Sequence, residues 1–306
     1  MRRTMRVAAI DCGTNSIRLL VADLSDDTLV DVVREMTIVR LGQGVDETGR
    51  LAPEAIERTR VALAGYASQI RELGAERVRM VATSASRDAS NADDFRAMVL
   101  STLGRAPEVI TGDEEARLSF DGAVRGLRSG EPPYLVVDIG GGSTEFVLGT
   151  DGVDAARSVD IGCVRLTERH LRSDPPTAAE ITATERDVVA AVDLAREVVP
   201  VEKARTLVGL AGSVTTVTAL ALGLTGYDPA AIHHARISRD QVTEVTDRLL
   251  TQTREQRAAY PVMHPGRVDV IGAGALVLRV IMDQVGADSV VASEHDILDG
   301  IAWSLS

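Results

Sequence analysis

Aromatic residues make up only 3% of this 306-residue sequence, so Val, Leu, Ile and Ala must fill whatever it buries. At 45% hydrophobic it has enough of them for two cores, and its length suits two domains of roughly 150 residues each. No apolar run approaches the ~18 residues of a membrane span, and the arginine-bearing N-terminus leads into a strand pattern instead of a signal-peptide core. The expected location is the cytoplasm, with no membrane partner. Cysteine stops at two, Cys12 and Cys163, without metal-ligand spacing, which argues against a disulfide framework and a zinc site. Lysine is almost absent while arginine is plentiful, a bias that carries no functional reading. Positive charge is in deficit overall: 33 Lys and Arg stand against 45 Asp and Glu, a net charge of −12. That balance argues against broad binding to nucleic acid or anionic membrane, which depends on clustered Lys and Arg. A polyanionic ligand stays admissible only where local arginines and divalent cations receive it, because the field of the whole molecule repels it.

What the chain does have is one loop used twice. Residues 11–16 read DCGTNS and residues 138–143 read DIGGGS, with Asp, Gly and Ser at matching offsets. Each copy lies between two apolar runs, 7–10 and 17–22 in the first case, 134–137 and 146–148 in the second, and so reads as a hairpin tip. Gly13, Gly140, Gly141 and Gly142 put no side chain between the backbone and an approaching anion. The aspartate at the head of each loop can hold a cation against that anion. Asp11 and Asp138 stand a domain's length apart, so the expectation is two related halves facing each other across a cleft.

The first half reads as strands at 7–11, 17–23 and 29–39, then a helix after Pro53 with Ile56, Leu63, Ala67 and Ile70 on one face and Gly74 as its stop. A strand at 78–82, a helix capped by Asn91 to about 103, a short strand at 108–110 and a helix after Thr111 follow. Residues 125–133, with Gly, Ser and paired prolines, make the linker. The order then repeats: strands at 134–138, 145–148 and 153–160 precede a long helix with a Thr177–Glu180 capping box. A strand at 206–210 leads through a Gly- and Ser-bearing turn at 209–213 into another helix, and insertions follow around 227–260. An apolar helix from about 267 to 285, a strand at 289–292 and a helix through Trp303 close the chain. Three strands followed by alternating helices and strands is the ribonuclease H-like order. Two copies predict a duplicated α/β architecture of the actin-like ATPase superfamily with an interdomain cleft, its domains at 1–126 and 133–306.

Chemistry concentrates in a few places. Asp138 and Glu145 bracket the second tip and come from adjacent strands, so both can reach one ion or water; Mg²⁺ suits them, taking hard oxygens and bridging to phosphates. Ser143 and Thr144 add hydroxyls, and the competing reading is a tight hairpin with solvated acids. In TGDEEAR, residues 111–117, Thr111 as N-cap places Glu114 at the third helical position, where a capping box would occupy it. Glu115 is then available to orient or deprotonate a water, unless both acids merely complement the helix dipole. Arg87, among small polar residues at 83–91, is a candidate anion clamp or a surface ion pair. The turn at 209–216, GLAGSVTT, offers a helix N-terminus to an anion, and Arg18, Arg40 and Arg165 rank lower. The five histidines, His170, His233, His234, His264 and His295, lack metal spacing and read as structural or surface residues.

At these residues the sequence resembles the Ppx/GppA family of exopolyphosphatases and guanosine pentaphosphate phosphohydrolases. DCGTNSIRLL, ATSASRDASN, TGDEEAR, VVDIGGGSTEFVLG, DIGCVRLTE, GLAGSVTT and VIGAGALVLR fall in the family's order from Asp11 to Arg279. The resemblance implies an actin-like duplicated fold, Mg²⁺-dependent removal of a terminal phosphate from polyphosphate or pppGpp, and a homodimer. By position it makes Glu115 the catalytic acid/base, with Asp138 and Glu145 placing metal and water. Asp11, Gly13, Thr14, Asn15, Arg87, Gly140, Gly141, Gly142, Ser143 and Ser213 would line the phosphate track. The length matches the short two-domain form, and Cys12 and Thr14 depart from the small residues common in the first loop. Other readings of the same loops are a pppGpp phosphohydrolase giving ppGpp, an actin-like kinase or ATPase with an adenosine pocket near 209–216, and a non-catalytic binder of (p)ppGpp or polyphosphate that regulates a partner.

Overall fold

The computed structural model describes residues 4–26, 28–127 and 130–306, so part of the expected linker lies outside the described residues. Its contacts define two units, Met1–Gly122 with Ile297–Ser306, and Ala123–Asp296. The closing helix, expected in the second domain, therefore belongs with the first unit.

In the first unit β1 (Met5–Cys12), β2 (Ser16–Leu24), β3 (Leu29–Ile38), β4 (Arg77–Ala82) and β5 (Glu108–Val109) form a sheet in the order β3-β2-β1-β4-β5. The first three strands pair antiparallel, as hairpins allow, and β4 and β5 run parallel to β1 after helical crossovers. The period of two along β1 splits the core between the sheet's faces. Ala8, Ile10 and Cys12 pack with Leu63, Tyr66 and Phe95, from the helices Pro53–Glu72 and Ala92–Leu103. Val7 and Ala9 pack with Leu118, from the helix Gly112–Val124, and Ile301, from the closing helix Ile297–Trp303. Those two helices approach so closely that a Cβ on Gly300 would overlap the Leu118 carbonyl oxygen. This long-range fit, which no local pattern announces, explains the return of the closing helix.

Pro53 opens its helix at a position that needs no N–H partner, and Gly74, at φ 69°, lies just past its end, as expected. Asn91 behaves differently from expectation. Its side chain makes no cap; Oδ1 accepts from the Leu51 N–H at 2.8 Å and Nδ2 donates to the Leu51 carbonyl at 3.1 Å, so it ties down the loop before the helix Pro53–Glu72.

The second unit holds β6 (Tyr134–Ile139), β7 (Thr144–Gly149), β8 (Val153–Val159), β9 (Thr206–Leu210), β10 (Arg236–Ser238) and β11 (Ser289–Ala292), ordered β10-β11-β9-β6-β7-β8. Counted from β8, the order β8-β7-β6-β9-β11 repeats that of the first unit, with the same antiparallel and parallel relations. β10 is an extra edge strand brought by the insertion, antiparallel to β11. The ribonuclease H-like α/β order is thus present twice, as the sequence pattern predicts. The capping box of Thr177 and Glu180 starts the helix Ala178–Arg196. The apolar helix begins at Ile271, later than its composition suggests, because Pro265 to Arg267 form a separate 3₁₀ turn.

Candidate active site

Both tips close by the same bond. The Gly13 N–H donates to the Ser16 carbonyl at 2.9 Å and the Gly140 N–H to the Ser143 carbonyl at 3.0 Å. These two amides are used inside the hairpins, so what Gly13 and Gly140 themselves supply is room for close approach. Each tip is also held by the chain that leaves the third strand of its unit. Val39 and Arg40 donate their N–H groups to the Asn15 carbonyl at 3.0 and 2.9 Å, and Gly42 donates to Thr14 at 2.8 Å. In the second unit Cys163 donates to the Gly140 carbonyl at 3.0 Å, while Val164 and Arg165 donate to Gly141 at 2.9 and 3.1 Å. Arg165 Nε adds a bond to the Gly142 carbonyl at 2.7 Å. Gly162 is needed here, since any Cβ on it would overlap the Gly141 carbonyl group. The motif at 160–168, read from sequence for its low-ranked Arg165, thereby gains a role as the clamp of the second tip, and most of it lies in a helix, Cys163–Arg169.

Sheet register separates the two aspartates. Asp11 lies opposite Arg18, which bonds its Oδ2 through Nη2 at 2.6 Å and Nε at 3.0 Å. A guanidinium thus pairs with one oxygen of Asp11 inside its own hairpin. Asp138 lies opposite Glu145 instead. Both are buried, at 7% and 1% exposure, and Ser158 Oγ donates to Glu145 Oε1 at 2.7 Å. Like charges gathered out of water raise each other's energy, and a cation beside them relieves that cost. The donor set fits Mg²⁺, which takes hard oxygens and completes its shell with water and phosphate. Among the described residues no group of three or more His, Cys, Asp or Glu side chains is arranged to hold a metal alone.

Glu115 stands in the first turn of the helix Gly112–Val124, 7% exposed. Arg87, from the short helix Ser84–Asp88, donates Nη1 to Glu115 Oε2 and to the Ile110 carbonyl, both at 3.2 Å. That same short helix meets the first tip, where the Thr14 and Ser84 hydroxyls bond at 2.8 Å. Thr14, Arg87 and Glu115 are therefore joined within one unit. Thr111 does accept the Glu114 N–H at 3.2 Å, but the box stays half-made, because the Glu114 carboxylate goes to Arg79 Nη2 at 2.7 Å.

Ser213 follows β9 in the helix Ala211–Ala221, entered through Ala211 at φ 66°, a left-handed residue that costs about 1–2 kcal/mol outside glycine. The Ser213 side chain neighbours Cys163, whose thiol is held above its ordinary pKa by burial. Gly274 makes room for Ser213, since a Cβ there would overlap Ser213 Oγ. Sequence reasoning missed Arg267, whose guanidinium lies against Gly212 and donates to the Gly212 carbonyl at 3.2 Å and Thr216 Oγ1 at 3.3 Å. Nothing in its local sequence marks it. Nearby, the Tyr227 hydroxyl bonds Thr215 and Glu294, each at 2.7 Å. Among the histidines His233 stacks on His234 at 3.7 Å and meets His295 at 4.4 Å, while His170 pairs with Asp187 at 2.7 Å.

The sequence profile of the Ppx/GppA phosphatase family matches residues 20–305, from β2 into the last residues of the chain. The chain belongs to that family. It is 58% identical to a Mycobacterium tuberculosis protein named Exopolyphosphatase 2, over 98% of both chains. Among solved structures of Ppx/GppA type, an exopolyphosphatase-like protein superposes with a TM-score of 0.97 at 45% identity, covering 99% of this chain and 98% of that one. The Aquifex aeolicus Ppx/GppA protein superposes at 0.80 with 33% identity, over 99% and 98% of the two chains. The Ppx/GppA resemblance read from the motifs thus extends to the fold of both units.

Proposed function

We propose that this chain is an exopolyphosphatase, a phosphoanhydride hydrolase that releases terminal orthophosphate from inorganic polyphosphate with Mg²⁺ as cofactor. The observation that carries the reading is the buried Asp138–Glu145 pair at one register position beneath a glycine tip. The likeness to the protein named Exopolyphosphatase 2 supports it.

In this reading Glu115 accepts a proton from water as the water oxygen bonds the terminal phosphorus. The bridging P–O bond breaks, and its electron pair leaves with the shortened chain. Arg87 holds the Glu115 carboxylate in place for that step. Gly13, Thr14 and Asn15 in the first unit, and Gly140, Gly141, Gly142 and Ser143 in the second, are the tip residues that border phosphate in this reading. Asp11 acts on the phosphate path by holding Arg18, and Ser213, in the first turn of the helix after β9, lines it in the second unit. Asp138 and Glu145 hold the Mg²⁺, which when bound neutralises phosphate oxygens as charge develops on them.

A second reading, hydrolysis of pppGpp to ppGpp, uses the same groups. It draws on 28% identity to an Aeromonas salmonicida protein named Guanosine-5'-triphosphate,3'-diphosphate pyrophosphatase, over all of this chain and 60% of that one. The protein works in the cytoplasm as a homodimer in this proposal; among the described residues no helix is long and apolar enough to cross a membrane. Orthophosphate release from short polyphosphate, long polyphosphate, pppGpp and ATP, measured side by side in Mg²⁺, tests the proposal. Polyphosphate is expected to lead. A lead for pppGpp transfers the assignment to the second reading, and tight binding without release from any of them makes the chain a regulator.

A further inference from the structure

Glu145 takes a hydrogen bond from a residue that none of the functional motifs contains. Ser158 lies on the edge strand β8 directly across from Glu145, half-buried, with its Oγ–H donating to Glu145 Oε1 at 2.7 Å. Asp138, Glu145 and Ser158 thus form one row across three neighbouring strands. The equivalent row of the first unit is Asp11, Arg18 and Met36, whose third member has no hydroxyl to give. The hydroxyl accompanies the row that holds two carboxylates and is missing from the row that pairs Asp11 with Arg18. The last torsion of a glutamate is broad and close to two-fold, so its stem alone does not set the plane of the carboxylate. A donor on one oxygen does set it.

We infer that Ser158 is a positioning residue for the divalent-cation site of the second unit, fixing the Glu145 carboxylate in its metal-binding orientation. The inference rests on the reading of Asp138 and Glu145 as metal ligands. Partners of this outer kind are worth roughly 10–100-fold in metal affinity, and an edge-strand serine belongs at the lower end.

The test follows free Mn²⁺ by electron paramagnetic resonance during titration of the full chain and of its Ser158→Ala and Ser158→Thr variants, with phosphate release measured in parallel. Ser158→Ala is expected to weaken Mn²⁺ binding about 10-fold, and Ser158→Thr, which keeps the hydroxyl, to bind nearly as the parent does. The Mg²⁺ concentration for half-maximal phosphate release should rise in proportion, with kcat at saturating Mg²⁺ retained. Equal Mn²⁺ affinity in Ser158→Ala and the parent overturns the inference, as does equal weakening in both variants, which marks a packing role. A parent chain that releases phosphate yet binds no Mn²⁺ overturns it as well. If the parent releases phosphate from no substrate while Ser158→Ala still weakens Mn²⁺ binding, the proposed function fails and the inference stands.

Discussion

At the scale of single residues, arginines distinguish the two neighbouring acids of the TGDEEAR segment. Glu114 is 44% exposed at its side chain and pairs with Arg79, whereas Glu115 is 9% exposed and pairs with Arg87. An exposed ion pair is worth about 0–1 kcal/mol, so Glu114→Gln should leave turnover nearly unchanged. Glu115→Gln should cut phosphate release by roughly 10²–10⁴-fold, the usual worth of a general base, while polyphosphate binding and circular dichroism persist. A comparable loss in Glu114→Gln would reverse the assignment. The sequence does separate these acids, because Thr111 at the N-cap sends only one of them to the third helical position. It does not show where their carboxylates go, since Arg79 and Arg87 arrive from other elements by tertiary folding. Ser158 and Arg267 were illegible for the same reason: each matters through a neighbour that only register or packing supplies.

Among elements, the strands other than the short β10 were legible because apolar runs bounded by turn residues leave little choice, and the helix starts at Pro53 and Thr177 because their caps are local. The helix Cys163–Arg169 was not, although its entry clamps the second tip. That clamp yields a paired prediction. Gly162→Ala places a Cβ against the Gly141 carbonyl and Gly142 amide, so the tip or the clamp must shift; an overpacked contact of this type costs about 1–3 kcal/mol. Thermal unfolding should register that loss, and phosphate release should fall with it. Gly152→Ala, in a turn where nothing approaches the added Cβ, should change neither. If both variants behave alike, the clamp is not what holds the tip. A second element-level test uses pH. Glu180 accepts from the Thr177 N–H at 2.7 Å, and further bonds come from the Thr177 hydroxyl, the Arg172 and Ser173 N–H groups and the Ser173 hydroxyl. The Thr177 amide is the main cause that lowers the Glu180 pKa from 4.5 to about 2. A carboxyl depressed on folding stabilises fully above its unfolded pKa and loses that contribution as pH falls through the folded one. Glu180→Gln should therefore melt below the parent at neutral pH, with the gap narrowing between 4.5 and about 2. A gap that stays constant over that window would mean the charge does not matter to the cap.

For the whole molecule, the duplication was visible in the repeated tip and is visible again in strand order, yet the copies have diverged in sign. The first pairs Asp11 with Arg18 and the second pairs Asp138 with Glu145. This divergence follows from which residue stands across the hairpin, so it could be read only once register was known. The net charge of −12 bears on how a polyanion reaches such sites. At low ionic strength the negative field extends far, with a Debye length of about 30 Å at 0.01 M against about 10 Å at 0.1 M. Contacts inside the site act over a few ångströms and are screened little over the same range. The long-range repulsion should therefore fade first, and kcat/KM for long polyphosphate should rise between about 0.01 and 0.1 M added tetramethylammonium chloride, with free Mg²⁺ held saturating. A protein that receives its polyanion on a broad basic surface shows the opposite, a steep fall with salt as counterions compete. Measuring that fall here would mean that arginines such as Arg18 and Arg87 govern the approach as well as the final seating of the substrate, and the overall charge would lose its role in setting the rate.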